Sequence, residues 1–296
     1  MEDIIAKAGV LVEALPYIQS FKDKIIVIKY GGSTIKEDGT PDSILLDVVF
    51  MAAVGMKPVI VHGGGKAISR RMKEAGIEST FVNGLRVTDE RTMAIVEDTL
   101  FGEVNRDIVQ AIHTLGGQAK GLSAKEAGIL KVRRHVAWVK DPKSGEKKMV
   151  DIGFVGDVEQ IDPGPILQVC KEGWIPVITP IGQGPDGRSY NINADTAAGE
   201  IAIALKAEKL VFLTDVKGIL RDPVDEHSLL STVHVSAIAD LIQEGVVQGG
   251  MIPKIQACLK AVQAHVHKTH IIDGRITHSL LLEIYTDKGV GTQIVA

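Results

Sequence analysis

Cysteine is nearly missing from this chain: Cys170 and Cys258 are the only two in 296 residues. Both fall in apolar, helix-like patterns. They read as structural thiols in a reducing compartment, with no disulfide framework and no cysteine-based metal centre expected. Aromatic residues are scarce at 4%, which leaves few platforms for stacking bases. Basic runs and stripes are missing too, so no nucleic-acid partner is expected. The net charge of −4 comes from both signs interspersed. No apolar stretch approaches the roughly 18 residues of a membrane span. The N-terminus has no basic region followed by an apolar core and a small-residue cleavage site. These absences predict a cytoplasmic protein with no membrane partner. Repeats, low-complexity tracts and long linkers are missing as well.

What the chain does have is alternation. Apolar, β-branched runs at 24–29, 57–62, 118–122, 175–181, 209–214, 268–272 and 291–295 predict strands. Helical spacing recurs near 42–55, 65–75, 89–114, 163–172, 193–206, 235–244, 253–264 and 277–284. Such alternation predicts an α/β fold whose largely parallel central sheet is covered on both faces. Two stretches that alternate differently, 129–140 and 147–155, flank Asp141-Pro142-Lys143-Ser144-Gly145 and predict a β-hairpin insertion. Gly182, Gly184, Pro185 and Gly187 suggest a lobe boundary near 181–188. Ahead of the first strand, Ile4, Ile5, Ala8, Leu11, Val12, Leu15 and Ile18 recur at helical spacing. That helix either packs on its own domain or is exchanged with a neighbouring subunit.

The first strand ends in Lys29-Tyr30-Gly31-Gly32. Lysine is rarely buried without a partner, and glycines let backbone N–H groups approach an anion. Lys29 therefore reads either as a solvated strand end or as an anion ligand. The second strand runs into His62-Gly63-Gly64-Gly65-Lys66, again at the carboxyl end of a strand and the start of a helix, where phosphate binds readily. Ala67 after Lys66 and Ile60 five residues before Gly65 exclude a Walker A loop. Gly182–Gly187 matches GxGxxG, but Pro185 interrupts it and no helix follows directly, so it reads as a turn. In Asn191-Ile192-Asn193-Ala194-Asp195, either Asn193 or Asp195 caps the next helix. Asp195 is then a helix-start carboxylate or an acceptor that orients lysines. The Asp215–Leu220 turn follows a buried strand and suits either a nucleotide or an ordinary loop. Pro253 fits a first helical turn. Lys254 beside it sits unfavourably near a positive helix end unless an anion is there, or is simply solvated. His265, His267, His270 and His278 lack zinc spacing and read as surface or interface residues.

Taken together, Lys29–Gly32, His62–Gly65, Gly84-Leu85-Arg86-Val87-Thr88-Asp89, Asn191–Asp195 and Gly249-Gly250-Met251-Ile252-Pro253-Lys254 resemble the acetylglutamate kinases of the amino acid kinase family. The resemblance runs in order from about residue 22 to the C-terminus. It implies a three-layer αβα sandwich in two lobes. Residues 22–181 would bind acetylglutamate and dimerise, and 182–296 would bind nucleotide. It also implies ATP-dependent phosphorylation of the side-chain carboxylate of N-acetyl-L-glutamate in arginine biosynthesis. Lys29 and Lys254 would hold the transferring phosphoryl group and Asp195 both lysines. Gly31, Gly32 and Gly63 would donate to phosphate oxygens. Gly64, Gly65, Arg86, Asn191 and Asn193 would hold acetylglutamate. Asp215, Lys217, Gly218, Ile219, Leu220, Val246, Val247 and Gln248 would hold the nucleotide, with Mg²⁺ carried by ATP rather than by a protein metal site. The N-terminal helix, residues 1–21, resembles that of arginine-inhibited homohexamers described as trimers of dimers. Tyr17, His270, Glu283, Gly289 and Gly291 would form the arginine site.

The chemistry agrees with the resemblance. A carboxylate acceptor is already anionic at neutral pH and needs no general base. The difficulty is repulsion from the γ-phosphate, which cations relieve. Arg86 presents a fork suited to a carboxylate. Rival readings are a kinase for free glutamate or aspartate, a non-catalytic amino-acid sensor on the same fold, and a dinucleotide-dependent dehydrogenase.

Overall fold

The computed structural model describes residues 2–31, 42–140, 146–285 and 289–296. Eight strands form the main sheet: β1 (Ile25–Tyr30), β2 (Lys57–His62), β3 (Ala119–Ser123), β4 (Ile175–Thr179), β5 (Lys209–Thr214), β6 (Thr232–His234), β7 (Lys268–Asp273) and β8 (Thr292–Val295). Their spatial order is β6-β8-β7-β5-β1-β2-β4-β3. All neighbours pair in parallel except β7 and β8. From β1 the chain moves to β2 on one side, and β5 later pairs with β1 on the other. Such a switch in direction opens a crevice at the carboxyl ends of the strands.

Residues on the strands alternate between two cores, because side chains in a strand point to opposite faces in turn. Val27, Val59, Val61, Phe212 and Ile271 enter one core with Ala197, Ile201, Ile255 and Cys258. Ile26, Ile28, Ile60, Val211 and Ile272 enter the other with Ile44, Val48, Met51, Ile112, Leu280 and Ile284. The first core thus packs α4 (Ala194–Ala204) and α5 (Met251–Gln263) on one face, and the second packs α2 (Ser43–Ala53) and α6 (Ser279–Tyr285) on the other. A sheet buried on both sides explains why its strands read as continuous apolar runs. Both cysteines are buried and free, and desolvation pushes the Cys170 thiol up to about 11 and the Cys258 thiol up to about 12.

The insertion is more elaborate than one hairpin. Ala137–Lys140 pairs antiparallel with Lys147–Val150, as the alternation predicts, while the turn at 141–145 lies outside the described residues. The outer arms, Leu130–Arg134 and Gly156–Ile161, join Ile181–Gln183 and Ser189–Asn191 in a separate four-stranded sheet. The GxGxxG stretch lies between those last two strands, which pair antiparallel. It is therefore a hairpin turn.

The stretch expected as one helix over 89–114 also differs. α-Helix at Glu90–Glu97 gives way to a π-helical segment, Asp98–Asn105, before α-helix resumes at Arg106–Thr114. The wider turn brings Leu100 against Gly64, just ahead of α3 (Gly65–Glu74), and sets Asn105 beneath β2 and β4. The N-terminal helix α1 (Glu2–Phe21) leaves Val12 and Leu15 exposed, and Tyr17 meets Tyr285 of α6 edge-on.

Candidate active site

Strand parity decides where Lys29 points. It follows Val27 on the same face, toward α4 and α5. At the start of α4 the Asn193 side chain accepts from the N–H groups of Asp195 and Thr196. Asn193 is thus the cap, and Asp195 stands in the first turn with its carboxylate uncommitted to the helix. Lys254 occupies the first turn of α5 beside Pro253. One turn further along, Gly199 and Ala257 let the two helices come close, since a Cβ at Gly199 would lie 3.1 Å from that of Ala257. These choices bring together three charges distant in the chain. Lys29 Nζ is 3.0 Å from Asp195 Oδ1, and Lys254 Nζ is 2.8 Å from Asp195 Oδ2. Burial pushes the Asp195 carboxyl up, but the two lysines override it and hold it below the usual carboxylate range. Two cations on one carboxylate leave a net positive charge at a site with little water.

The glycine turns after β1 and β2 touch. Gly63 N–H donates to the Tyr30 carbonyl at 2.8 Å, and a Cβ on Gly31, whose φ is +145°, would lie 2.7 Å from Gly63 N. Only glycine fits there. Gly32 lies outside the described residues. The buried Tyr30 hydroxyl donates to Asp42, whose other oxygen accepts from Ile44 N–H at the start of α2. The chain leaving β1 is thereby tied to the chain entering α2.

Lys29, Gly63, Gly64, Gly65, Arg86, Asn191, Asn193 and Asp195 line one cavity of about 200 Å³. Arg86 is 6% exposed. Its guanidinium donates to Ser79 Oγ at 2.7 Å, Ser69 Oγ at 2.8 Å and the Gly65 carbonyl at 3.0 Å, and lies over the Phe81 ring. Desolvation pushes its pKa down. Among the described residues no carboxylate pairs with it, so it is a buried cation fixed by neutral groups. Sequence reading missed Ser69, Ser79 and Phe81 as its holders, and their residue types give no local signal of that task. Asn191 reaches Thr88 Oγ1 at 3.5 Å, the hydroxyl of which donates to the Arg86 carbonyl. The cavity thus carries Lys29 and its carboxylate partner Asp195 as well as a guanidinium, a lining for a small dianion presented to a phosphate.

The segments 215–220 and 246–248 do not line that cavity. Ile219 and Val247 are core residues, 2% and 1% exposed. Ile219 N–H donates to Thr292 Oγ1, Val247 N–H donates to the Leu241 carbonyl, and Lys217 pairs with Glu226 at 2.6 Å. No group of three or more His, Cys, Asp or Glu side chains gathers among the described residues, and no helix there is long and apolar enough to cross a membrane.

A second cavity, of about 450 Å³, brings together Tyr17, His270, Glu283, Gly289 and Gly291, with Lys209 among its walls. His270, read from its spacing as a surface or interface residue and by the resemblance as part of the arginine site, is buried, with Nδ1 2.6 Å from Glu283 Oε1. Glu283 Oε2 accepts from Val290 N–H at 2.8 Å. Burial pushes the Glu283 carboxyl up, but His270, that N–H and Lys209 hold it below the usual range.

The model of the amino acid kinase family matches residues 24–273. An acetylglutamate kinase of Heliobacterium modesticaldum is 52% identical over 291 residues, covering 98% of both chains. One of Moorella thermoacetica is also 52% identical over 98% of both. Among solved structures, N-acetylglutamate synthase of Neisseria gonorrhoeae, complexed with coenzyme A and N-acetyl-glutamate, shares the fold at a TM-score of 0.80 and 24% identity. That match covers 98% of this chain but 63% of the synthase, so this chain spans less than two thirds of that protein's length.

Proposed function

Since the chain belongs to the amino acid kinase family and, within it, to the acetylglutamate kinases, it phosphorylates N-acetylglutamate in arginine biosynthesis, and we propose that the Lys29–Asp195–Lys254 cluster carries the transfer. One observation supports this most: buried Lys29 and half-buried Lys254 share the carboxylate of Asp195 near the carboxyl ends of the central strands, and a buried, acid-free Arg86 lines the cavity that Lys29 and Asp195 line.

Arg86 takes the α-carboxylate of N-acetyl-L-glutamate as a bidentate fork, with Gly64, Gly65, Asn191 and Asn193 around the rest. The side-chain carboxylate then faces ATP. A carboxylate oxygen bonds to the γ-phosphorus as the bond from that phosphorus to the bridging β-oxygen breaks, giving an acyl phosphate and ADP. Lys29 and Lys254 stabilise charge on the transferring group, and Asp195 keeps them aligned. The Gly64 N–H completes the cradle, whereas the Gly63 N–H expected to donate to phosphate is already given to the Tyr30 carbonyl. Mg²⁺ carried on the ATP phosphates would neutralise further charge. The segments 215–220 and 246–248 hold the nucleotide, with Ile219 and Val247 offering no side chain to it because both are in the core. Residues 22–181 serve the acetylglutamate side and 182–296 the nucleotide side of the site.

Arginine is the inhibitor we assign to the 450 Å³ cavity. Its guanidinium matches Glu283, and its carboxylate matches Lys209. The exposed Val12 and Leu15 of α1 favour a helix that packs on a neighbouring subunit in a cytoplasmic homohexamer. Deleting residues 1–20 should lower the mass of the assembly, and an unchanged hexamer would refute that role. The activity is tested by trapping acyl phosphate with hydroxylamine. The trap should form with ATP and N-acetyl-L-glutamate, form far less with glutamate or aspartate, and fall when arginine is added. Equal trapping with free glutamate would overturn the assignment of Arg86 and Asn191.

A further inference from the structure

Directly beneath the glycine turn lies a polar cluster sealed from water. His62 and Thr179 are 0% exposed and Asn105 is 2% exposed. They come from the ends of β2, β4 and the π-helical segment. Asn105 Nδ2 lies 2.9 Å from the Val177 carbonyl and 3.1 Å from Thr179 Oγ1. Thr179 Oγ1 is 3.2 Å from His62 Nε2, and His62 Nδ1 is 3.0 Å from the Gly63 carbonyl. Asn105 Nδ2 is also 3.1 Å from His62 Nε2.

The donors can be assigned from the acceptors. A carbonyl only accepts, so the Val177 oxygen fixes which side of Asn105 is the amide nitrogen, and the Gly63 oxygen fixes the proton of His62 on Nδ1. His62 Nε2 is left as the acceptor for the Thr179 hydroxyl, which itself accepts from Asn105. The relay runs one way, from Asn105 through Thr179 and His62 to the Gly63 carbonyl. The site admits no larger residue across from it, since a Cβ at Gly121 would overlap Asn105 Oδ1.

In a trans peptide the C=O and the following N–H point in opposite directions. A Gly63 carbonyl held down toward His62 turns the Gly64 N–H up, away from the core. Among the described residues that N–H has no hydrogen-bond partner. A run of three glycines has little intrinsic preference against flipping this plane. We propose that Asn105, Thr179 and His62 are positioning residues that hold the Gly63–Gly64 peptide with its N–H facing the transferring phosphoryl group. This rests on the reading of the glycine turn as a phosphate cradle.

The test compares His62→Phe, which keeps a ring and removes both nitrogens, with His62→Gln, the amide of which can donate to Gly63 and accept from Thr179. In His62→Phe, confirmed folded by circular dichroism, kcat should fall about 30- to 100-fold, while KM for ATP and N-acetyl-L-glutamate stays within about threefold. His62→Gln should return kcat to within about fivefold of wild type. The ¹⁵N spectrum of the wild-type enzyme should show the His62 ring protonated on Nδ1. A folded His62→Phe with wild-type kcat, or a ring protonated on Nε2, would overturn the proposal. Should His62→Phe not fold, Thr179→Val cuts the relay one link earlier, and its kcat should fall about three- to tenfold with KM unchanged. Wild-type turnover there would equally overturn it. Gly63→Ala, whose methyl would meet only the Ala194 Cβ at 3.8 Å and the Lys29 Cε at 4.0 Å, separates the two readings. Loss of turnover in Gly63→Ala with none in His62→Phe refutes the relay alone, and no loss in either refutes the phosphate cradle.

Discussion

Replacing Asp195 with asparagine keeps the shape of the side chain and removes the charge that two lysines share. Those lysines are 11% and 16% exposed at the side chain, and Asp195 is 8% exposed. Removing one partner of a buried ion pair costs about 3–5 kcal/mol. Some water still reaches both lysines, so the low end applies, about 3 kcal/mol in the ligand-free protein. At about 2–4 °C per kcal/mol for a chain somewhat smaller than this one, Tm should drop by about 6–12 °C. The asparagine amide can accept from one lysine only, and its NH₂ group faces the other, so the ammonium groups repel with less between them. A polyanion should then stabilise the variant more than the wild type, because it replaces the missing charge. The assay is thermal unfolding with and without inorganic triphosphate, alongside steady-state kinetics. The gap in Tm should narrow as triphosphate is added, and kcat should fall about 10²–10³-fold from misaligned lysines. A Tm within about 1 °C of wild type, or a gap that triphosphate leaves unchanged, would refute the reasoning.

Lys29→Ala and Lys254→Ala should each lower kcat by about 10²–10⁴ with the fold retained, and near-wild-type turnover in either would remove it from the transfer step. Arg86→Lys cannot reproduce the fork held by Ser69, Ser79 and Gly65. It should raise KM for N-acetyl-L-glutamate by about 10–100-fold and leave KM for ATP within about threefold; equal weakening of both would contradict the role. Acid should destabilise the fold through His62, whose pKa burial lowers from 6.5 to about 4. The folded state refuses a proton that the unfolded state takes up, so stability is full above pH 6.5 and falls as pH drops below it, by about 2 kcal/mol at pH 5. Urea midpoints at pH 7 and pH 5 should diverge less in His62→Gln. Some slope will remain, because buried His270 is shifted in the same direction. Glu283→Gln should abolish arginine inhibition and keep basal kcat within about twofold, which inhibition curves would show.

The layered fold was legible because its signals are local. Runs such as Ile26–Ile28 and Leu210–Leu213 are buried on both faces and read as strands without tertiary knowledge. The second sheet was not legible: Ile181–Gln183 pairs with Leu130–Arg134 across about fifty residues, and short strands carry little pattern of their own. The π-helical turn was hidden for a related reason, since its apolar spacing over eight residues differs little from that of an α-helix. At the site, residue type and the family resemblance together pointed to Lys29, Asp195 and Lys254. Which of Asn193 and Asp195 caps the helix needed coordinates, as both residue types cap well. Ser69, Ser79, Asn105 and Thr179 are common residues whose tasks arise only from who stands next to them after folding.

The two cavities lie at opposite ends of two neighbouring central strands. Lys29 sits near the end of β1, and Lys209 begins the neighbouring β5, opposite Ile26. Their linings have no residue in common. Drift in one lining therefore leaves the other chemically intact. A lineage could gain, retune or lose the cavity around Glu283 while keeping the Lys29 cavity unchanged. Homologues should accordingly vary much more in the residues around Glu283 than in those around Asp195.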